Sequence, residues 1–421
     1  MRILVAHNRY KYAGGEDSVM RAEVDMLRSA GNDVEVYEVD NKSIQGTVAK
    51  IVAAASLFHS YNSFRKMGEL LRKFQPDVLH IHNWFPLLSP SVISAAAEVG
   101  VPVVQTLHNF RMLCANGVLY RNGKICEDCL GKAFPLSATV HGCYSSSRVG
   151  SALVSAAFSY HRFARTWNGV SIFLALSEFQ RSQLIRGGVE AAHIVVKPNF
   201  VKETGEIGNG RGGYALFVGR LVPEKGIRTV LKAWETSKIP IPLRIMGHGP
   251  LAEEVCRRTK KLRSVDYLGQ RSQSEVYAAM ADARFLIFPS ESYETFALTI
   301  VEAFSRGTPV LAADLESIAD LVIDGKTGFR FIPGDAEDLI AKAALLSADA
   351  VGYQAMRHQC RRVYEARYTD KRNYRMLIEI YRNSIASARR PVPSFAQAEV
   401  KELSPVTATP QEWHKDATVN E

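Results

Sequence analysis

The chain lacks any apolar run approaching the roughly 20 residues that span a bilayer; the nearest candidate is "IVAAASLF" at 51–58. Its opening, "MRILVAHN", holds one Arg and a four-residue apolar run, too short for the apolar region of a signal peptide. Helical spans and a cleaved leader are therefore not expected, and the sequence predicts a cytoplasmic protein. Cysteine is sparse, with six residues in 421, and disulfides are disfavoured in that compartment. Zinc-finger, RNP-type and similar signatures are missing, so the excess of 52 Lys and Arg over 43 Asp and Glu predicts no nucleic-acid partner.

What is present is the composition of a soluble globular protein, 47% apolar and 23% charged. The length exceeds one ordinary core and predicts two domains of about 200 residues each. Charge is uneven. Residues 42–73 carry Lys42, Lys50, Arg65, Lys66, Arg72 and Lys73 against Glu69 alone, interleaved with Ile51, Val52, Leu57, Phe64 and Leu70. Two readings stand side by side: a basic amphipathic helix suited to an anionic membrane surface or anionic acceptor, or an ordinary helix with a solvated face.

Short β-rich runs alternate with helical patterns in the first half, at 2–7, 33–39, 77–82, 101–108 and 171–177, with a helix expected over Ser18–Ala30. A glycine-rich seam follows at 197–214, and the rhythm then restarts at 214–219, 241–247, 265–269, 284–290 and 308–314. Helices are expected at 226–237, 273–282, 295–306 and about 370–388. The pattern predicts an α/β protein of two doubly wound Rossmann-like halves, whose strand carboxyl ends face a shared cleft.

Chemistry-bearing residues fall on the expected strand-to-helix loops. Gly14 and Gly15 follow the first strand, where backbone N–H groups and a helix dipole can meet an anion; an ordinary tight turn explains them equally well. His108 ends the fourth strand run. Arg220 and Lys225, in "VGRLVPEKG" (218–226), suit a diphosphate, the first as a fork and the second as a point charge. In "SESYETFALTIVE" (290–302), Glu294 and Glu302 flank an apolar stretch. With a helix from Thr295, the N–H groups of Thr295, Phe296 and Ala297 would be free, Glu294 would stand at the helix mouth for a sugar hydroxyl, and Glu302 would accept from a ribose.

The set E-x7-E (Glu294, Glu302), G-R-x4-K (Gly219, Arg220, Lys225), "GTPVLAAD", "DGKTGFRF", "AGGEDSV" and "IMGHGP" resembles the retaining glycosyltransferases of family 4, which have the GT-B fold. The resemblance spans roughly residues 1–385. It implies that Glu302 binds ribose, Glu294 the donor sugar, Arg220 and Lys225 the diphosphate, with Gly14 and Gly15 opposite and His108 at the donor sugar. Gly247, Gly249, Gln270, Phe296, Ala297 and Leu298 complete the donor-binding set. It implies front-face attack without a covalent nucleophile, no cofactor required for catalysis, and a last helix crossing back to the first domain. The resulting plan is an acceptor-side domain at 1–200, a linker at 201–212, a nucleotide-sugar domain at 213–368, the returning helix at 369–390 and a disordered tail at 391–421. Thr295-Phe296-Ala297 stands where the family often has Gly-Phe-Gly, and Asn109 where Asp is frequent.

The expected reaction moves a sugar from a nucleotide-diphosphate sugar to a glycan or lipid-linked acceptor, in the cytoplasm or peripherally at the inner membrane face. A GT-B nucleotide-sugar epimerase or hydrolase is the alternative, and a non-catalytic nucleotide binder is a third reading. One cluster remains outside this scheme. Cys114, Cys126, Cys129 and Cys143 have the spacing C-x11-C-x2-C-x13-C, which contains the knuckle of structural zinc sites. A structural zinc, a redox pair and unligated thiols all fit that pattern.

Overall fold

Runs of β-branched and aromatic residues punctuated by Gly and Pro give strands; the 3.6-residue periodicity between them gives helices. A computed structural model describes residues 1–10, 14–203, 205–236, 241–348 and 350–388; the tail expected at 391–421 lies outside them. The first half contains β1 (Arg2–Arg9), α1 (Gly15–Ser29), β2 (Asp33–Asp40), α2 (Gly46–Ser56), α3 (Tyr61–Phe74), β3 (Val78–Asn83), α4 (Ser91–Glu98) and β4 (Val103–Thr106). A small hairpin, β5 (Tyr120–Arg121) and β6 (Lys124–Ile125), precedes α5 (Leu136–His141), α6 (Arg148–Phe163), β7 (Ile172–Ala175), α7 (Glu178–Arg186) and β8 (Ile194–Val196).

The second half runs β9 (Ala215–Val218), α8 (Ile227–Thr236), β10 (Leu243–Met246), α9 (Ala252–Thr259), β11 (Val265–Gly269), α10 (Gln273–Asp282), β12 (Phe285–Phe288), α11 (Leu298–Ser305), β13 (Val310–Ala313) and β14 (Gly328–Phe331). Helices α12 (Ala336–Ala348), α13 (Ala350–Arg367) and α14 (Asp370–Ala388) follow.

Two six-stranded parallel sheets result, ordered β2-β1-β3-β4-β7-β8 and β11-β10-β9-β12-β13-β14. In the second, order reverses between β9 and β12, and a doubly wound sheet binds ligands outside the carboxyl ends at that reversal. The loops leaving β9 and β12 are those that carry Arg220, Lys225 and Glu294. The first sheet reverses between β1 and β3 in the same way, where Gly14 and Gly15 lie.

Each sheet is covered on both faces, which is why β12 (FLIF) is buried along its whole length. In the first sheet, Ile3, Val5, Met20, Val24 and Leu27 pack with Leu377, Ile380 and Tyr381 of α14. The last helix thus lies on the first sheet. The seam meets its start: Val201 pairs with Thr369, and the Asn373 amide donates to the Pro198 carbonyl at 2.7 Å.

Several expectations shift. The helix placed at Thr295 begins at Leu298. The basic segment is two helices rather than one, parted after Ser56 by a turn and the Ser60 cap, whose hydroxyl accepts from Ser63 N–H. Strands β8 and β14 and the β5–β6 hairpin were not expected; each is two to four residues long, below what alternation resolves.

Candidate active site

The loop after β12 is held before it meets a ligand. Ser290 Oγ donates to Glu294 Oε1 at 2.6 Å, and the Glu294 N–H donates to Ser317 Oγ at 3.1 Å. Lys225 Nζ, from the loop after β9, reaches the same Oε1. Glu294 therefore does not cap the helix: it is four residues upstream of Leu298 and is paired with Lys225. Among the described residues, the N–H groups of Thr295, Phe296 and Ala297 carry no hydrogen bond, so these donors are available although they precede the helix instead of opening it. Arg220 is exposed, and its guanidinium makes no side-chain hydrogen bond or ion pair among the described residues.

Glu302 lies within α11. Among the described residues, its carboxylate has one hydrogen-bond partner, the Tyr277 hydroxyl at 3.4 Å. Burial raises this carboxyl to about 7, against the small opposing effect of Tyr277. A half-buried, half-satisfied acid gains most from a ligand that donates hydrogen bonds, and a ribose offers two hydroxyls.

Gly247 and Gly249 have a reason in the fold. Both adopt positive φ, and a Cβ at Gly247 would sit 1.9 Å from the Gly219 carbonyl, one at Gly249 2.6 Å from the Leu221 carbonyl. They let the β10 loop lie against the β9 loop that carries Arg220. Gln270 follows the edge strand β11 and is exposed, set apart from the reversal point. At Gly14 and Gly15 a Cβ would meet nothing within 4 Å. The Gly14 N–H is taken by Asp17 Oδ2 at 2.9 Å, so it is not free for an anion; Gly15 opens α1 and is exposed.

His108 faces this loop from the first half. Thr295 Oγ1 donates to the His108 carbonyl at 2.9 Å, Ser177 Oγ to the Thr295 carbonyl at 3.0 Å, and Tyr120 Oη to Glu291 Oε2 at 3.3 Å. The Tyr293 ring packs on Phe179, centroids 4.5 Å apart. Burial, with His82 beside it, holds the His108 imidazole well below the ordinary histidine value, so it is neutral at physiological pH and can donate or accept a hydrogen bond. Its Nε2 is 3.0 Å from His82 Nδ1.

Behind His108 lies a buried polar cluster that sequence reasoning missed. Lys197 Nζ pairs with Glu23 Oε2 at 2.8 Å, with His80 and His82 nitrogens 3.1 and 3.2 Å from Glu23 Oε1. The Tyr381 hydroxyl of α14 is 2.7 Å from His80 Nδ1. Burial alone would raise Glu23, but Lys197 and then His80 hold it well below the carboxylate range. The alternation His80-Ile81-His82 in a strand was the available signal. Glu16 was missed too. It is half-buried in the first turn of α1, one oxygen has no hydrogen-bond partner, and burial plus Asp17 push its carboxyl well above normal.

A cavity of about 420 Å³ opens elsewhere, lined by Phe158, Arg162, Trp167 and Val189. These precede or flank the amino ends of β7 and β8, and of the predicted site residues only Cys129 reaches it.

Comparison with known proteins matches both halves of the chain. "Glycosyl transferase 4-like domain" matches residues 19–199 and "Glycosyl transferases group 1" residues 206–366. Glycogen synthase of Mycobacterium tuberculosis is 27% identical over 289 residues, covering 67% of this chain and 63% of that protein. The chain thus spans less than two thirds of that relative's length. An uncharacterized glycosyltransferase of Methanocaldococcus jannaschii is 24% identical over 81% of this chain and 87% of its own. In fold, the chain resembles sucrose-phosphate synthase of Thermosynechococcus elongatus (TM-score 0.68, 15% identity, 92% of this chain and 100% of that one). It also resembles Anabaena HepE in complex with UDP (TM-score 0.63, 15% identity, 91% and 100%). The chain belongs to the group 1, family 4-like glycosyltransferases of GT-B fold.

Proposed function

We propose that this protein transfers a sugar, with retention of anomeric configuration, from a nucleoside-diphosphate sugar to a glycan or lipid-linked acceptor. The observation that carries the reading is the convergence of Arg220, Lys225 and three unbonded N–H groups at the sheet's reversal point, with Glu302 beside them and His108 opposite. Two cations and backbone donors match the charge that grows on a departing diphosphate. Glu302 accepts the ribose hydroxyls. Glu294, released from Lys225 as the diphosphate takes over that cation, accepts a hydroxyl of the donor sugar. His108, neutral and fixed by His82, bonds the sugar on the acceptor side. The diphosphate oxygen takes the acceptor proton, and the protein contributes orientation and charge stabilisation. No resident cofactor takes part in this chemistry. That the HepE neighbour binds UDP and UDP-glucose supports a nucleotide-sugar donor.

The acceptor side faces an anionic membrane in this reading. Helix α2 exposes Val48, Ile51 and Val52 next to Lys50, and Phe58 meets Tyr160 of α6 edge to face, centroids 5.8 Å apart, near the exposed Phe163. Exposed apolar side chains beside a lysine suit a headgroup region. By contrast α3 buries Met67, Leu71 and Phe74, and its basic face follows the solvated reading. No helix among the described residues is long and apolar enough to cross a membrane.

The test is incubation with a panel of nucleotide sugars, with and without a membrane extract. Donor consumption that requires extract and yields a sugar-extended product supports transfer. Consumption without any acceptor would assign the epimerase or hydrolase reading instead.

A further inference from the structure

We propose that Cys114, Cys126, Cys129 and Cys143 form a structural site for one zinc ion. The four side chains come from separate pieces of one long connection. Cys114 ends a turn closed by its own N–H to the Phe110 carbonyl, Cys126 follows the β5–β6 hairpin, Cys129 sits one turn later, and Cys143 follows α5. Nothing in the sequence spacing requires them to meet. Yet all four line one cavity of about 10 Å³, with Asn116, Tyr120, Arg121, Ser137 and Ala138, a space of the order of a single water or ion. None is in a disulfide.

The surroundings are built to hold that ring. Arg121 Nη2 donates to Asp128 Oδ2 at 2.9 Å, and Ser137 Oγ donates to the same oxygen at 3.1 Å. Hairpin, knuckle and α5 are thereby tied together around the thiols. Binding replaces four S–H protons with four S–Zn bonds, leaves a net charge of −2 on the centre and releases four protons to solvent; the Arg121 guanidinium partly offsets that charge. In a zinc tetrahedron, sulfurs stand roughly 3.8 Å apart. Among the described residues, the one trio of His, Cys or acidic ligand atoms mutually within 4.8 Å is Glu23, His80 and His82, so the thiols are spaced wider than that and metal entry draws them inward. In the Glu23 trio the Lys197 ammonium, 2.8 Å from the other carboxylate oxygen, already places a cation where a metal ion would be repelled.

The connection from Phe110 to Cys143 has little regular structure, only a four-residue hairpin and α5, and loops of that length need an anchor. Its first part meets the cleft: the Tyr120 hydroxyl reaches Glu291 on the donor loop, and Cys114 is six residues beyond His108. A metal here fixes one wall of the cleft without entering the chemistry. That consequence rests on the donor-site reading; the metal itself does not.

Elemental analysis of full-length protein purified without chelator is expected to give about one zinc per chain. Titration of the wild-type protein with a mercurial should release that zinc to a chromophoric chelator. The double variant Cys126→Ser/Cys129→Ser should lose the metal and be cut faster by trypsin at Lys124 and Lys132, whereas Cys256→Ser, outside the cluster, should retain it. Three results would overturn the site: iron with acid-labile sulfide, a disulfide within the cluster, or folded metal-free wild-type protein whose thiols all react freely. The metal content is read without donor or acceptor, so it stands or falls apart from the transfer reaction.

Discussion

Lys225 and Glu294 hold each other in the cleft, Nζ 2.5 Å from Oε1, although the resemblance assigns one to the diphosphate and the other to the sugar. Under the proposed function, donor binding exchanges this ion pair for two new partnerships. Lys225→Ala removes a preorganised cation and leaves Glu294 without its partner, so kcat should fall about 100-fold. Steady-state kinetics with a saturating acceptor would measure this, and wild-type turnover would remove Lys225 from the diphosphate site.

Glu302 carries a pH signature. Its carboxyl is raised to about 7 in the fold, above the unfolded value near 4.5. A raised acid contributes stability that is complete below the unfolded pKa and is lost as pH rises through about 7. Ribose hydroxyls bond best to the ionised form, so donor affinity should strengthen from pH 6 to pH 8, with proton release on binding. Glu302→Gln should flatten that trend. Calorimetric titration at the two pH values decides it; an unchanged slope in the variant would assign the titration to another group.

Helix α2 should contribute to membrane attachment through its exposed apolar side chains. Ile51→Asp with Val52→Asp is expected to abolish binding to vesicles containing anionic lipid, measured by flotation. Lys66, Arg72 and Lys73 changed to Gln should alter binding only weakly, because they belong to the solvated face of α3. Binding by the unaltered protein should weaken as salt rises, since exposed charges are screened over about 8 Å at physiological ionic strength. Equal binding by the aspartate variant would return α2 to an ordinary surface.

Lys197 is 1% exposed and Glu23 2%, so neither charge can be rehydrated when its partner is lost. Lys197→Met should destabilise the fold by about 3–5 kcal/mol, while Lys197→Met with Glu23→Gln should recover much of that loss. Urea unfolding of both variants measures the difference. Equal destabilisation would mean that the pair matters for its shape and not for its charge.

The strands bounding the cleft were legible because parallel strands buried on both faces read as continuous apolar runs. The residues on the loops after β9 and β12 were legible because Arg, Lys and Glu flank those runs at fixed spacing. The helix at Thr295 was misplaced because Phe296 and Ala297 are as apolar as the true first turn, and periodicity cannot locate a start in a largely apolar stretch. Glu23, Lys197 and Tyr381 were not legible at all. They are far apart in sequence: Glu23 and Lys197 meet only when α1 and the end of β8 come together, and Tyr381 joins when α14 docks on the first sheet, tertiary events that no local pattern records.

The pairing of Val201 with Thr369 has a mechanical meaning. The chain passes between its halves twice, and the two passages are bonded side by side, with Val201 N–H to the Tyr368 carbonyl at 3.0 Å and the Tyr364 hydroxyl to the Val201 carbonyl at 3.1 Å. A single tether would let one half swivel freely about the other. Two joined tethers leave one easy motion, a swing about the line they share, as a door turns on its pin. In the proposed reaction, opening for product release and closing on the donor would retrace one path, and His108 would return to the same station on every turnover.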